Sequence, residues 1–197
     1  MINDGYQGVK FETVFLQKKE PGHQLLEELK KWCALFHEKN LAPPYPGGSF
    51  GNLSFRTGNN TFIITGTCIG LKNTLENSCF VEVVTCNRSE KKVYVNGLLA
   101  PSSESFMHDE IYKNRPDVGA IFHGHHSLIT QNALLLGIPE TKEKTPYGTI
   151  ALADSILEII KNNNFVVIKE HGFVSVADNI QKAGELTLKW LNKTKLL

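Results

Sequence analysis

Val118-Gly119-Ala120-Ile121-Phe122-His123-Gly124-His125 is the stretch on which the fold turns. An apolar run without polar alternation reads as a strand buried on both faces, and this one ends in histidines. Side chains at i and i+2 of a strand share a face, so His123 and His125 can aim two imidazoles at one point. A second apolar run, Phe165-Val166-Val167-Ile168, is followed by His171-Gly172. Three neutral imidazoles arriving from two strand ends match a zinc-type catalytic site with one coordination position left open. The plainer reading makes each histidine an ordinary polar residue at a strand end, as single histidines usually are. The HxH spacing together with the third histidine weighs against it. His126 points the opposite way if the strand continues and is expected to cap a helix or lie at the surface.

Around this stretch the composition is that of an ordinary globular chain. Its 197 residues fit one domain with a sizeable core. Hydrophobic residues make up 41% and charged residues 21%, with a formal net charge of +1. That balance carries no electrostatic footprint for nucleic acid or a membrane surface; the paired lysines, such as Lys18-Lys19 and Lys91-Lys92, sit near acidic residues and read as solvated surface. Cys33, Cys68, Cys79 and Cys86 show no CxxC spacing and lie in apolar or strand-like contexts, which suits buried thiols in a reducing compartment. No apolar run approaches the ~18–20 residues that span a bilayer. The N-terminus has no basic and apolar leader pattern, so the cytoplasm is the expected location.

Periodicity organises the rest. Residues 7–16 alternate loosely, as an edge strand or an arm. Leu25, Leu29, Trp32 and Phe36 step at helical spacing to about Asn40, where Leu41-Ala42-Pro43-Pro44-Tyr45-Pro46-Gly47-Gly48 forms a turn-rich approach. Strands are expected over 52–56, 61–65, 79–85, 92–95, 118–122, 165–168 and 173–176. Helices are expected over 103–114, from Ser127, over 151–161 and over 179–192. Strands bunched early with helices spread around them predict an α/β domain layered α/β/α over residues 22–197, preceded by an N-terminal arm over 1–21.

Gly51-Asn52-Leu53-Ser54-Phe55-Arg56, Ile64-Thr65-Gly66-Thr67, Pro101-Ser102-Ser103-Glu104, His108, Ile111-Tyr112, Arg115-Pro116-Asp117-Val118, His123-Gly124-His125-His126-Ser127 and Glu170-His171-Gly172 follow one another along the chain. In that order they resemble the class II aldolase/adducin family, the fold of fuculose- and rhamnulose-phosphate aldolases. The resemblance covers nearly the whole chain, from about residue 25 to about residue 191. It implies a central, mostly antiparallel sheet and a divalent metal held by His123, His125 and His171. Zinc is favoured by three imidazoles, and manganese or cobalt also fit. Such an ion would act as a Lewis acid toward a carbonyl and adjacent hydroxyl.

The same resemblance makes Glu104 the general acid/base. His108, four residues later on the same helical face, is expected to organise the site rather than bind metal. The resemblance assigns Asn52, Thr67, Ser102 and Ser103 to a substrate phosphate. Cys68 falls where the family carries a glycine, which puts phosphate recognition in question and leaves a carboxylate or neutral sugar fragment as alternatives; Arg56 and Lys72 are the nearest cations. No tyrosine follows Tyr147 to match the aldolases' tail proton donor, and residues 140–148 lack the Asp and His of the related epimerases. A metal-dependent aldolase-type lyase acting on a small sugar or sugar-phosphate is therefore the leading expectation. A ketose-phosphate dehydratase and a non-enzymatic, adducin-like interaction module are the alternatives. The resemblance also implies a homo-oligomer, a tetramer with its cleft between subunits, and Tyr45 and Phe50 are candidates for that contact surface.

Overall fold

The computed structural model describes residues 8–197; residues 1–7, including the start of the expected arm and of the strand from Gln7, lie outside the described residues. In chain order the elements are β1 (Glu12–Gln17), α1 (Leu26–Glu38), β2 (Pro44–Tyr45), β3 (Gly48–Ser49), β4 (Asn52–Arg56), β5 (Phe62–Thr65), β6 (Phe80–Asn87) and β7 (Lys92–Asn96). Then come α2 (Ser105–Asn114), β8 (Ala120–Gly124), α3 (Ser127–Gln131), α4 (Ala133–Leu136), α5 (Ile150–Ile160), β9 (Phe165–Ile168), β10 (Gly172–Ala177) and α6 (Ile180–Thr194). Among the described residues eight strands form one sheet in the order β1-β7-β6-β5-β4-β8-β10-β9. Neighbours are antiparallel except β1 on β7, so the domain is α/β with a mostly antiparallel central sheet.

Side chains alternate between two cores. On β8, β9 and β10, Ile121, Val166, Ile168, Val174 and Val176 pack with Phe106 and Ile111 of α2 and Leu152 and Ile156 of α5. Phe122, Val167 and Phe173 pack the opposite way, against Leu29, Trp32 and Phe36 of α1 and Ala183 of α6. Every residue of β8 is buried, as its unbroken apolar run requires of a strand covered on both faces. Phe122 meets Trp32 and Phe36 edge-on at ring-centroid distances of 5.8 and 5.4 Å, a geometry that adds to simple area burial.

Several boundaries shift from the sequence expectation. The expected strand over 118–122 runs two residues further, so His123 lies inside β8 between Asn52 of β4 and Val174 of β10. Residues 12–17 do form an edge strand. The turn-rich approach contains the small β2–β3 hairpin, which propensity alone does not show through two prolines and two glycines. Helix α1 begins only at Leu26, without a side-chain cap.

Gly119 sits where β4, β8 and β10 converge. Its carbonyl accepts from Arg56 N and its amide donates to Ala177 O, at 2.8 Å each. A Cβ there would stand 2.1 Å from Asp178 O. Gly119→Ala is expected to cost about 1–3 kcal/mol by overpacking, whereas Gly22→Ala, with nothing within 4 Å, should stay within about 0.5 kcal/mol. Equal denaturation midpoints for the two variants would contradict this account of the junction.

Candidate active site

His123 is fully buried, and its Nδ1 lies 2.8 Å from Phe173 O. A carbonyl can only accept, so Nδ1 carries the hydrogen and Nε2 faces away from it. That Nε2 lies 3.0 Å from His125 Nε2 and 3.0 Å from Glu104 Oε2. His171, on the turn between β9 and β10, brings its Nε2 to 3.4 Å from Glu104 Oε1. The ligating atoms of His123, His125 and His171 all lie within 4.8 Å of one another. The structure therefore brings together the three histidines and the glutamate singled out in the sequence.

The electrostatics favour a cation at this point. Burial pushes the His171 pKa down to about 4, against the pull of Glu104. Burial, with His123 and His171 adding to it, holds His125 well below the ordinary imidazole value. Both rings are thus neutral, the form that ligates metal. Burial alone would raise the Glu104 pKa. The His123 and His171 imidazoles that face it and the Asn52 NH2 outweigh it and hold the carboxyl well below its usual range.

A bare imidazole nitrogen and an ionised oxygen 3.0 Å apart need a proton or a cation between them. Glu104 Oε1 is moreover buried with no hydrogen-bond partner. The backbone is shaped for the same purpose, since a Cβ on Gly172 would lie 2.9 Å from His123 Cε1 and 3.3 Å from His125 Cδ2. This donor set fits a divalent ion.

Glu104 is the residue preceding the first turn of α2, and its own amide donates to Ser102 Oγ at 3.3 Å. Ser102 and Ser103 are buried beside it. Thr67 joins this segment through its backbone: its amide donates to Ala100 O at 3.0 Å, and Ser102 N donates to Thr65 O at 3.1 Å. Asn52, at the start of β4, donates from Nδ2 to Glu104 Oε2 at 2.9 Å. Asn52 is thus tied to the carboxylate, Ser102 accepts from the Glu104 amide, Ser103 precedes it in the chain, and Thr67 pairs with the segment leading to them.

Other expectations need correcting. Cys68 is exposed, not a buried thiol, with φ of 55°. This is the left-handed region where glycine is at ease and a Cβ costs about 1–2 kcal/mol, which makes the substitution legible as local strain. Neither nearby cation is turned to an anion. Arg56 is spent on the carbonyls of Asn59, Tyr112, Arg115 and Val118. Lys72 donates to Ser49 O, Ser49 Oγ and Phe50 O at 3.0–3.2 Å.

Tyr45 and Phe50, singled out in the sequence as candidates for a contact surface, also take part in the site. Phe50 stacks on His125 at 4.9 Å with 27° between rings, and Tyr45 packs on Phe50 at 4.9 Å. These aromatics wall one imidazole, a contact that sequence spacing cannot show. His108 is buried and hydrogen-bonded to Asn52 and Ser54, and is not among the three histidines whose ligating atoms converge. His126 caps α3 by its backbone conformation only.

Residues 27–190 match the model of the class II aldolase and adducin N-terminal domain, so the chain belongs to that family. It is 30% identical to an L-fuculose phosphate aldolase from Methanococcus vannielii over 80% of this chain and 87% of the relative. A counterpart from Methanococcus maripaludis is also 30% identical, over 78% and 84%. Among solved structures, an L-fuculose 1-phosphate aldolase superposes with a TM-score of 0.72 at 25% identity, covering 90% of this chain and 86% of its own. A putative aldolase/epimerase/decarboxylase from Escherichia coli shares the fold, with a TM-score of 0.69 at 21% identity over 88% and 87%.

Lys72 is 2% exposed and its acceptors are all neutral. Burial lowers its pKa to about 8, the Cys33 thiol opposing slightly. A lysine whose folded pKa lies below its unfolded value weakens the fold while protonated, so stability rises with pH from about 8 toward about 10.5, on the order of 3 kcal/mol in full. Burial pushes the Cys33 thiol up to about 12, which works in the opposite sense above about pH 9. The difference between wild type and Lys72→Met therefore isolates the lysine. Urea denaturation from pH 7 to 9.5 should show wild type gaining on the variant; a pH-independent difference would contradict the assignment.

Proposed function

We propose that this chain is a divalent-metal-dependent aldolase-type lyase that acts beside the carbonyl of a small hydroxylated sugar or sugar-phosphate. One observation carries this reading: three imidazoles and one buried, ionised carboxylate converge on a common point. His123, His125 and His171 hold the ion, and zinc suits three imidazoles best. When bound there, a divalent cation supplies Lewis acidity to a carbonyl oxygen and its neighbouring hydroxyl. Similarity to the L-fuculose phosphate aldolases supports the sugar-phosphate class.

The polypeptide supplies the rest. Glu104 takes a proton from the carbon or hydroxyl beside the carbonyl and returns it at the end of the reaction. The apolar cores flanking β4, β8 and β10 keep bulk water from the carboxylate. Asn52, Thr67, Ser102 and Ser103 hold the far end of the substrate with neutral donors, and a phosphate is the group offered by the relatives' substrates. We assign this activity to residues 22–197 and leave residues 1–21 outside it as an N-terminal arm. Four free thiols suit the reducing cytoplasm.

The test is α-proton exchange of dihydroxyacetone phosphate in deuterated buffer. Glu104→Gln should retain the metal and lose about 10²–10⁴ in exchange rate; undiminished exchange would remove Glu104 from the chemistry. Elemental analysis of wild type should give about one divalent ion per chain, and the His123→Ala/His125→Ala double variant should retain none. Full metal content in that variant would sink the ligand assignment. The enzyme is also expected to be a homo-oligomer, a tetramer by its resemblance to the aldolases. Leu134 and Leu135 at 95% and 70% exposure are apolar surface of the kind such contacts cover. A monomer in light scattering at micromolar concentration would contradict it.

A further inference from the structure

Two unlike periodicities run side by side between β4 and α2. Residues two apart on a strand are separated by about 6.6 Å, and residues four apart on a helix by about 6 Å. Asn52, Ser54 and Arg56 therefore stay level with Glu104, His108 and Tyr112. Each strand residue bridges two positions on the helix side. Asn52 meets Glu104 at 2.9 Å and His108 at 2.6 Å. Ser54 meets His108 at 2.7 Å and Tyr112 at 2.8 Å. Arg56 closes the ladder, donating to Tyr112 O and Arg115 O with its guanidinium 4.7 Å above the Tyr112 ring. Asn52, Ser54, Glu104, His108 and Tyr112 are all buried, so water offers their polar atoms no substitute partner.

The direction of every bond follows from chemistry. An ionised carboxylate only accepts, so Asn52 turns its NH2 to Glu104 and its oxygen to His108. The amide oxygen only accepts, so His108 Nε2 carries a hydrogen. Burial lowers the His108 pKa to about 3, leaving the ring neutral and its Nδ1 an acceptor. Ser54 must then donate to Nδ1, and its oxygen accepts from the Tyr112 hydroxyl. Four hydrogen bonds thus point one way, from Tyr112 toward Glu104 Oε2. Oε1, the other carboxylate oxygen, faces His171 Nε2 at 3.4 Å.

We propose that Ser54, His108 and Tyr112 are positioning residues that lock the Asn52 amide and through it pin Oε2 of Glu104. The effect on proton exchange rests on Glu104 being the acid/base; the ladder itself does not. Flipping the Asn52 amide would set an oxygen against the carboxylate and an NH2 against the His108 N–H, costing both bonds at once. Glu104 would then lose its fixed orientation to the imidazole cluster.

The test uses the full-length chain labelled with 15N and 13C. Long-range imidazole spectra at pH 7 should show His108 as the neutral Nε2–H tautomer. Ser54→Ala should shift the Glu104 carboxyl carbon resonance, although Ser54 does not touch Glu104. It should also slow dihydroxyacetone phosphate exchange about ten- to hundredfold, in the rate constant rather than in half-saturation. Ser54→Thr keeps the hydroxyl and should restore both readouts; Tyr112→Phe, which leaves Ser54 donating to His108, should have the smaller effect. A His108 Nδ1–H tautomer would overturn the proposal. So would a folded Ser54→Ala protein with wild-type exchange and an unmoved Glu104 resonance. If wild type itself exchanges no proton, the proposed function fails, and the tautomer and resonance still decide the ladder.

Discussion

The structure depends on keeping the Glu104 carboxylate out of water. Removing an ion from water costs several kcal/mol unless its surroundings give back comparable interactions. Here the surroundings come from three directions: Asn52 on β4, His123 on β8, and His171 after β9. Those strands can cooperate only if β4, β8 and β10 are neighbours, which is how the sheet is ordered. Asn52 and His123 are direct cross-strand partners, and Val174 flanks His123 on the other side. The placement of Glu104 just ahead of α2 serves the same need. A carboxylate near free helix N–H groups is favoured by the helix dipole, and the ladder along the helix fixes it from behind.

Two of the left-handed non-glycine residues directly adjoin residues assigned to the site. Glu170 immediately before His171 has φ of 57°, and Cys68 after Thr67 has φ of 55°. A left-handed non-glycine residue costs about 1–2 kcal/mol, and such residues persist only where the surrounding structure determines them. At Glu170 the left-handed turn lets the His171 amide donate to Ile168 O at 3.0 Å, so the chain reverses tightly and the imidazole is carried back over β8. Gly51, with φ of 75°, allows an equally close pass, because a Cβ there would lie 2.6 Å from His123 O. The cluster is assembled by turns that bring backbones into contact, and the side chains follow.

Much of this was legible in the chain. The unbroken apolar run before His123 announces a doubly covered strand, and the i, i+2 histidines announce convergence. Glu104 and His108, four residues apart, share a helix face. The polar Asn52-x-Ser54-x-Arg56 alternation likewise lies on one strand face, though nothing in one sequence pairs that strand with that helix. Phe50 against His125 and Lys72 within its cage of carbonyls were not legible, because both arise from irregular segments whose paths no periodicity dictates. Cys68 was legible as a departure, but its exposure was not. A cysteine between threonine and isoleucine looks like core, and only the turn conformation of the backbone expels it.

The commitments of Arg56 and Lys72, the two cations singled out in the sequence, sharpen what the site can recognise. Arg56 closes the far end of the β4–α2 ladder and satisfies carbonyls at the C-terminus of α2, where a positive charge also suits the helix dipole. Lys72 pins the Ser49–Phe50 backbone and with it the ring over His125. Both charges are committed to shaping the protein. An anionic group beside Ser102 and Ser103 would therefore be met by hydroxyls and amides at the mouth of a site whose strongest charges face the imidazole cluster. Such neutral recognition gains less from charge than from geometry, so it discriminates by the shape and hydrogen-bonding pattern of the group it holds. The left-handed backbone of Cys68, with φ of 55°, adjoins Thr67, whose amide pairs with Ala100 O at 3.0 Å just ahead of those serines. Under the proposed function, substrate choice is therefore expected to be set at the Thr67–Cys68 turn, while the buried carboxylate and the histidines carry the chemistry.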